Sequence, residues 1–447
     1  MGQFEAGTER RWVSGGRVIC PASGIDAHAT LIIQDGRIEA VSPEPATPGD
    51  HDQIIDATGS LVIPGLVDLH AHLGEPGFEH KEDLASAGRA AAHGGVTTLV
   101  AAPDTEPVND ARAITEFIIR RAAEITPVRV LPMATLTRGR RGDHLTDMFD
   151  LRDGGAVAFG EGDTALADAS LLRRAMEYAR AVGRPVFEWP EERGLARAAV
   201  MHEGPVATRL GLRGVPEAAE RIAVDRAIAL ARLTGCPIHI GPISTAGAVE
   251  ALGRAQSEGL PVTCAVTAMH LQLVDEAIAE RYDSCLRVRP PLRGVADRSA
   301  LNAGIASGVI TAISSGHRPQ SPVEKEVEFE LAEPGIAGLE TLLSQTLAQV
   351  EAGAFGLHHA LAALTAAPAQ IIGEQSGTLS PGRRADVVVV DAGARWSVSK
   401  DTLVGRSKNT PLIGQTLPGV VHSTIIDGEV VYSAVEHMPG QLLSDRG

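Results

Sequence analysis

The chain has 447 residues, of which 44% are hydrophobic, and its formal net charge is −16 at pH 7. A chain of this length and composition buries a large core and favours more than one structural unit. The negative charge disfavours a nucleic-acid or anionic-membrane partner, because no basic run longer than Arg138-Gly139-Arg140-Arg141 offsets it.

The cysteines and the N-terminus both predict a cytoplasmic protein. The four cysteines are widely separated and form no Cys-x-x-Cys pair, which disfavours a disulfide framework or a structural zinc knot. Residues 1–11 are polar and charged, without the apolar segment that is typical of a secretion signal. Nowhere do about 18 uncharged apolar residues run together, so no membrane-spanning helix is expected. The cysteines, which we expect to be reduced thiols, are Cys20, Cys236, Cys264 and Cys285.

Short strands are predicted at the start of the chain. Apolar segments at 17–20, 30–33, 36–41 and 53–56 are separated by turns rich in Gly and Asp. Short runs between such turns are typical of an antiparallel sheet.

A different rhythm begins near residue 62, where short apolar runs alternate with long helical stretches rich in Ala, Arg and Glu. Repeated strand–helix units of this kind predict a closed (β/α)₈ barrel of parallel strands. Strands return after residue 376, at 385–391 and 423–432. We therefore predict an α/β fold in two parts: a TIM-like barrel at 62–375, and a small β-sandwich domain built from both chain ends, 12–61 and 376–435.

The barrel begins with a possible metal-binding pair. An apolar run from Val62 leads into His70-Ala71-His72. Alternate residues of a strand share a face and lie about 6.6 Å apart, so both imidazoles are expected at the C-terminal mouth of the barrel. Two imidazoles on a rigid strand are half of a zinc site. A His-x-His pair alone is not specific, because two hydrogen-bonded or exposed histidines are the commoner explanation.

The sequence around this pair resembles a known family. Residues 64–84, PGLVDLHAHLGEPGFEHKEDL, closely resemble the signature of dihydroorotases, which belong to the amidohydrolase superfamily. The resemblance continues in order along nearly the whole chain, at residues 243–245, 290–293, 334–341 and 407–411. It implies an amidohydrolase barrel and, in active members, a zinc site with further ligands on later strands.

The chain departs from the family pattern at nearly every one of those later ligands. Glu161 lies in the stretch where the family has an aspartate, and Glu188 stands where an imidazole is expected. Pro242 and Gly316 occupy the remaining two positions, and neither residue has a side-chain donor atom. His239 lies three residues before Pro242, so we expect it on the opposite face of its strand, deeper than the mouth, as a packed core histidine.

Groups for catalysis and substrate binding are also replaced. The resemblance implies that the aspartate missing at Gly316 would serve as general base, taking a proton from metal-bound water. Arg289 or Arg318 could compensate in part for lost substrate contacts. The resemblance implies an Arg, two Asn and a His at four positions. In this chain those positions hold Gly74, Asp104, Arg289 and Gln320, in that order.

The sequence thus favours a non-catalytic dihydroorotase homologue, with no catalytic or substrate-binding residues assigned and His70 and His72 as a remnant pair. Its resemblance to pseudo-dihydroorotases implies a partner, the catalytic chain of aspartate carbamoyltransferase in de novo pyrimidine biosynthesis. A homo-oligomer or hetero-oligomer is expected. The segment 75–84 beside the site either contacts such a partner or packs the barrel top. No cofactor is expected, or zinc if any metal is retained.

An active enzyme is the alternative. A rebuilt single-metal site from His70, His72, Glu161 and Glu188 is chemically acceptable for zinc and would make the chain a dihydroorotase or a related cyclic amidohydrolase. A hydantoinase or allantoinase is disfavoured, because those enzymes resemble a site with a bridging carboxylated lysine and no lysine lies at a matching strand end.

Overall fold

The computed structural model describes residues 10–45 and 47–434, and a barrel of eight parallel strands lies at its centre. Each strand pairs with the next one along the barrel. A bridge between Ala71 and His317 brings the first strand to the segment after the last one. The barrel strands are Leu66–Ala71, Val96–Ala101, Arg129–Ala134, Ala158–Gly160, Val186–Glu188, Ile238–Ile240, Val262–Thr267 and Ala312–Ser314.

Helices connect these strands and surround them. The longer ones are Leu84–His93, Arg112–Ile125, Ala169–Val182, Glu217–Thr234, Ala246–Ser257, Val295–Ala306, Leu342–Glu351 and Leu357–Leu364. Short helices and 3₁₀ turns are Arg138–Arg140, Met148–Asp153, Arg193–Ala196, Pro205–Leu210, Ala268–Gln272, Glu276–Arg281, Ser284–Leu286, Pro322–Lys325, Leu339–Thr341 and Ala366–Ile371. A two-stranded sheet, Met201–His202 with Gly214–Val215, lies among them.

Local sequence explains where these helices begin and end. In Ala169–Val182, the Asp168 carboxylate accepts hydrogen bonds from the backbone N–H groups of Ser170 and Leu171. Gly183 follows with φ +77°, a left-handed conformation that costs glycine little and that ends the helix. Alternate residues on the strands face the helices, and a continuous apolar cluster joins the two layers.

The barrel interior is a packed core. Val67, Leu69, Met133 and Phe187 pack inside it, as the layered interior of this architecture requires. The short helix Ala366–Ile371 and the residue after it contribute to the same cluster. That helix therefore seals the end of the barrel where the strands begin.

Strands from both chain ends form two further sheets. One has the order Arg37–Ser42, Thr30–Gln34, Arg10–Ser14, Gln53–Asp56. The other has the order Glu429–Ser433, Thr416–Ile426, Val387–Ser397, Leu61–Pro64, Arg17–Cys20, Ile25–His28. Val13 and Leu31 of the first sheet pack against Val62, Val387 and Ile425 of the second. The predicted fold class, a TIM-like barrel with a small β-sandwich from both chain ends, is confirmed.

The prediction of one antiparallel sheet for the N-terminal strands was wrong. Those strands divide between the two sheets, and Arg10–Ser14 runs parallel to Gln53–Asp56 while it runs antiparallel to Thr30–Gln34. Parallel neighbours are possible because the chain passes through the other sheet before it returns.

The domain limits at 61/62 and 375/376 stay a prediction, and residue 435 lies outside the described residues. Leu61–Pro64 pairs with strands of the six-stranded sheet and so extends across the first limit. No helix in the described part of the chain is long and apolar enough to cross a membrane.

Asp386 joins the small sheets to the barrel. Its carboxylate lies 3.0 Å from Nη1 of Arg129, on the third barrel strand, and accepts a 3.1 Å hydrogen bond from the backbone N–H of Asp427. The Asp386 residue is only 2% exposed, so the carboxylate depends on these protein partners in place of water.

We expect Asp386→Ala to lower the free energy of unfolding by about 2–4 kcal/mol, because a guanidinium and a backbone N–H lose a buried partner. Urea denaturation followed by circular dichroism measures this. The control is Glu116→Ala, which removes an exposed i,i+4 ion pair with Arg112 and should cost less than about 0.5 kcal/mol. Equal losses in the two variants would contradict the assigned role.

Candidate functional site

The histidine pair lies at the C-terminal mouth of the barrel, at the end of strand Leu66–Ala71. The Nε2 atoms of His70 and His72 are 3.1 Å apart, and Nδ1 of His72 lies 2.8 Å from the carboxylate of Asp104. The His70 ring also packs against Trp189, with 5.9 Å between ring centroids. Each Nε2 therefore has the other ring as its hydrogen-bond partner.

Burial keeps both imidazoles neutral. It lowers the pKa of His70 to about 3, and it also lowers the pKa of His72. A neutral His72 that donates from Nδ1 to Asp104 presents a bare Nε2, which accepts the Nε2–H of His70. The result is a hydrogen-bonded chain from His70 through His72 to Asp104.

Two arginines support the carboxylate at the end of this chain. Burial alone would raise the pKa of Asp104, but His72, Arg318 and Arg140 outweigh that effect and hold the pKa well below its usual range. Both guanidiniums also pair with Asp163, Arg140 at 2.8 Å. The charges at the mouth thus neutralise one another within the protein.

The backbone and the side chain of Thr137 both bind Glu161. Its Oε1 accepts hydrogen bonds from the N–H and the hydroxyl of Thr137, at 2.8 and 2.7 Å, and its Oε2 is buried with no partner among the described residues. Burial raises the pKa of this carboxyl.

Glu188 is held by the helical layer. Its carboxylate lies 2.7 Å from Nη2 of Arg226, on helix Glu217–Thr234 outside the barrel, and burial raises its pKa to about 7. The structure therefore brings His70 and His72 together but holds Glu161 and Glu188 on other partners. Within residues 10–45 and 47–434, no three His, Cys, Asp or Glu side chains are arranged to hold a metal ion.

Pro242 and Gly316 border the same small cavity as the histidine pair, a space of about 40 Å³. The positions where the family pattern has ligands thus face His70 and His72 but present no donor atoms. Gly316 has φ +62°, and a Cβ there would lie 3.0 Å from the Thr267 methyl group. A catalytic zinc ion takes three protein ligands, so the donor set at this mouth does not fit one.

The spacing of His239 from Pro242 predicted that His239 lies on the opposite face of its strand, and this prediction was wrong. His239 lies inside the barrel. It borders a cavity with His70 and Pro242, its Nδ1 is 2.9 Å from the Thr263 hydroxyl, and its ring is 4.7 Å from that of Phe187. Its strand ends at Ile240, so strand alternation no longer relates His239 to Pro242. Burial lowers the pKa of His239 to about 3, which fits a packed core histidine.

Substituted substrate positions are bound within the protein as well. The Arg289 guanidinium lies 2.5 Å from Glu191 and 5.8 Å from the centre of the Trp189 ring. Gln320 accepts a hydrogen bond from Lys81 and donates one to the Pro334 carbonyl. These groups hold the loops at the mouth in place.

Sequence reasoning overlooked a buried pair beneath the mouth. Nδ1 of His317 accepts a hydrogen bond from the Gly338 N–H, and its Nε2 faces Glu82 Oε2 at 3.9 Å. Neither of these two facing atoms has a hydrogen-bond partner in the described chain. The only sequence signal was the position of Glu82 within the segment 75–84. That segment packs the barrel top through buried Glu75 and Glu82, while Glu79 and His80 are exposed.

Asp68 was also overlooked. Asp68 is fully buried, and its carboxylate accepts hydrogen bonds from the N–H and the hydroxyl of Ser315, the residue before Gly316. Burial raises the pKa of Asp68 to about 6. A charged residue inside an apolar strand was the available signal. Asp68 joins the first barrel strand to the segment that follows the last.

An eight-stranded parallel barrel with a His-x-His pair ending its first strand defines an amidohydrolase-type barrel. A family model described as dihydro-orotase-like matches residues 59–248, and one described as amidohydrolase family matches 345–432. A dihydroorotase of Anaeromyxobacter sp. (strain K) is 44% identical over 422 residues, covering 94% of this chain and 97% of that protein. A dihydroorotase of Citrifermentans bemidjiense is 41% identical over 94% of this chain and 99% of its own length. The chain belongs to the dihydroorotase family.

Solved structures agree on the fold. The L-hydantoinase (dihydropyrimidinase) from Arthrobacter aurescens superposes with a TM-score of 0.85, at 24% identity, over 95% of this chain and 96% of that one. The dihydropyrimidinase from Brevibacillus agri gives a TM-score of 0.81 at 21% identity, over 95% of each chain. At these identities the likeness concerns the architecture alone.

The raised pKa of Glu188 predicts a specific pH dependence. The folded chain keeps this proton up to about pH 7, whereas a free glutamate releases it near 4.5, so stability falls as pH rises through this interval. We expect Glu188→Gln to remove this pH dependence of the free energy of unfolding. The wild-type free energy of unfolding minus that of the variant should fall by about 3 kcal/mol between pH 4.5 and pH 8.

Urea denaturation at a series of pH values provides the measurement. Glu177→Gln, which changes an exposed carboxylate paired with Arg173, is the matched control and should give a flat difference. A flat difference for Glu188→Gln would show that this carboxyl titrates normally.

Proposed function

We propose that this chain is a non-catalytic member of the dihydroorotase family that supports the assembly and activity of aspartate carbamoyltransferase in de novo pyrimidine biosynthesis. One observation carries the non-catalytic part. The cavity beside His70 and His72 is bounded by Pro242 and Gly316, which offer no side-chain ligand atoms. We propose the cytoplasm as its location, as the cysteine usage suggests.

The chemistry of cyclic amide hydrolysis supports this proposal. The reaction class uses a metal ion that lowers the pKa of bound water and a base within hydrogen-bond reach. Asp104 is the carboxylate nearest the histidine pair, but a group whose pKa is held well below its usual range is a weak base. One oxygen of Asp104, Oδ1, is also engaged by His72.

The pairing of the arginines at the mouth also favours a non-catalytic protein. An anionic substrate would need free guanidiniums at the mouth, but Arg318 pairs with Asp163, and Arg289 pairs with Glu191. The ionised Asp104 borders the neighbouring cavity together with Lys81, Arg140 and Arg318. These basic groups are also paired within the protein, Lys81 with Glu324 and both arginines with Asp163. Loss of metal, base and substrate contacts together favours a non-catalytic protein over an enzyme with altered specificity.

An active dihydroorotase is the second candidate, and the names of the relatives at 41–44% identity favour it. It requires that Glu161 leave Thr137 and that Glu188 leave Arg226, so that both carboxylates join His70 and His72. Such a change would leave a half-buried guanidinium without its partner.

Metal content and turnover distinguish the two candidates. We expect protein purified without chelator to contain far less than one zinc per chain and to turn over neither dihydroorotate nor carbamoyl aspartate. The double variant Pro242→His with Gly316→Asp restores two donors and should retain more zinc than the wild type. Stoichiometric zinc with turnover that His70→Ala abolishes would overturn the proposal.

Co-expression tests the structural role. We expect the catalytic chain of the aspartate carbamoyltransferase from the same organism to form a larger, more active assembly with this chain than alone, as measured by light scattering and activity. A His70→Ala, His72→Ala double variant should assemble like the wild type, because the proposed role does not use the pair. The role fails if the partner reaches the same size and full activity without this chain.

A further inference from the structure

A cavity of about 710 Å³ opens at the end of the barrel opposite the histidine pair. Four of its lining residues, Pro185, Pro237, Pro261 and Thr311, each directly precede a barrel strand. These strands are neighbours in the barrel, so the cavity lies across their N-terminal ends. We call it the basal groove. Its volume lies within the range of small-molecule sites, about 300–1,000 Å³.

The floor of the basal groove is apolar. Ile238 enters it from a barrel strand, and Ile371 and Ile372 enter it from the end of the sealing helix. Thr263 and Gln370 add a few hydrogen-bonding groups. An apolar floor with few polar groups is typical of sites that bind the body of an organic ligand.

Arginines surround one end of the groove. Arg180 and Arg184 line it, and an adjoining cavity of about 360 Å³, which shares Gly373, is lined by Arg37, Arg383 and Arg384. Glu374 is the single acidic residue among the described residues that line either cavity, and it pairs with Arg384 at 3.1 Å. In a chain of net charge −16, this end is a local positive region.

Arg184 differs from its neighbours because its side chain has no partner among the described residues. Arg180 donates to the Thr234 carbonyl at 2.6 Å, and Arg37 donates to the Gly382 carbonyl at 2.9 Å. The half-buried Arg184 places Nη1 about 4.0 Å from where a Cβ on Gly373 would lie. A guanidinium with free donors therefore stands where the two cavities meet.

We propose that the basal groove binds an organic polyphosphate, with its organic body on the isoleucine floor and its phosphates at the junction beside Arg184. Guanidiniums bind phosphate oxygens through paired N–H donors, and several arginines suit a ligand with several negative charges. This site goes beyond the proposed function, since it uses neither the histidine pair nor a partner chain.

Calorimetric titration of the full chain at physiological salt tests the proposal, with ATP, inorganic tripolyphosphate and adenosine as probes. ATP should bind once per chain, and each of the other two at least about tenfold more weakly, because each lacks one half of the ligand. Arg184→Gln should weaken ATP binding by about tenfold or more. Arg197→Gln, a change at an exposed arginine outside the groove, is the matched control and should bind ATP like the wild type.

The side chain of Arg184 has no partner to lose, so the variant should keep the wild-type melting temperature. Absence of ATP binding at millimolar concentration would overturn the proposal. So would equal ATP affinity in Arg184→Gln and the wild type, or tripolyphosphate binding as tight as that of ATP. These outcomes do not depend on hydrolysis or on assembly with another chain.

Discussion

Ionisable side chains at the barrel mouth are buried, and their charged forms depend on compensating partners within the protein. A charged group taken out of water is stable only when opposite charge or hydrogen bonds replace its hydration. Asp104 meets this requirement through His72 and two arginines, whereas Arg226 meets it only in part for Glu188, whose pKa burial still raises to about 7. This constraint fixes the loops at the mouth, because the partners come from segments far apart in the chain.

The charged groups at the two ends of the barrel are compensated to different extents. At the mouth, basic and acidic groups pair with one another and leave cavities of about 40 and 220 Å³ beside the histidine pair. At the base, arginines outnumber acidic groups around a much larger space, and Arg184 keeps free donors. A folded scaffold can carry a mouth without a full set of metal ligands and a ligand-binding base at once, because the packed core separates the two ends of the barrel.

The sequence was sufficient for the barrel, because short apolar runs between helical stretches leave few other folds. It was also sufficient to place His70 and His72 at a strand end. It could not give the partners of Glu161 and Glu188, since Thr137 and Arg226 are 24 and 38 residues away and no local pattern links them. The face of His239 was wrong because strand alternation was applied beyond Ile240, where the strand ends. The basal groove was not predicted because its lining spans residues from 180 to 373 and no local pattern links them.

Electroneutrality connects the substitutions at the mouth. A divalent cation compensates the carboxylates that bind it, so a mouth without that cation cannot keep the same carboxylates uncompensated. Glycine at 316 removes one of them, whereas Glu188 adds a carboxyl where the family pattern has an imidazole. Both glutamates at the mouth are bound within the protein, Glu161 to Thr137 and Glu188 to Arg226. The histidines need no removal, because a neutral imidazole carries no charge and each ring bonds the other. On the proposed function, His70 and His72 persist because they are the ligands that cost the barrel least to keep.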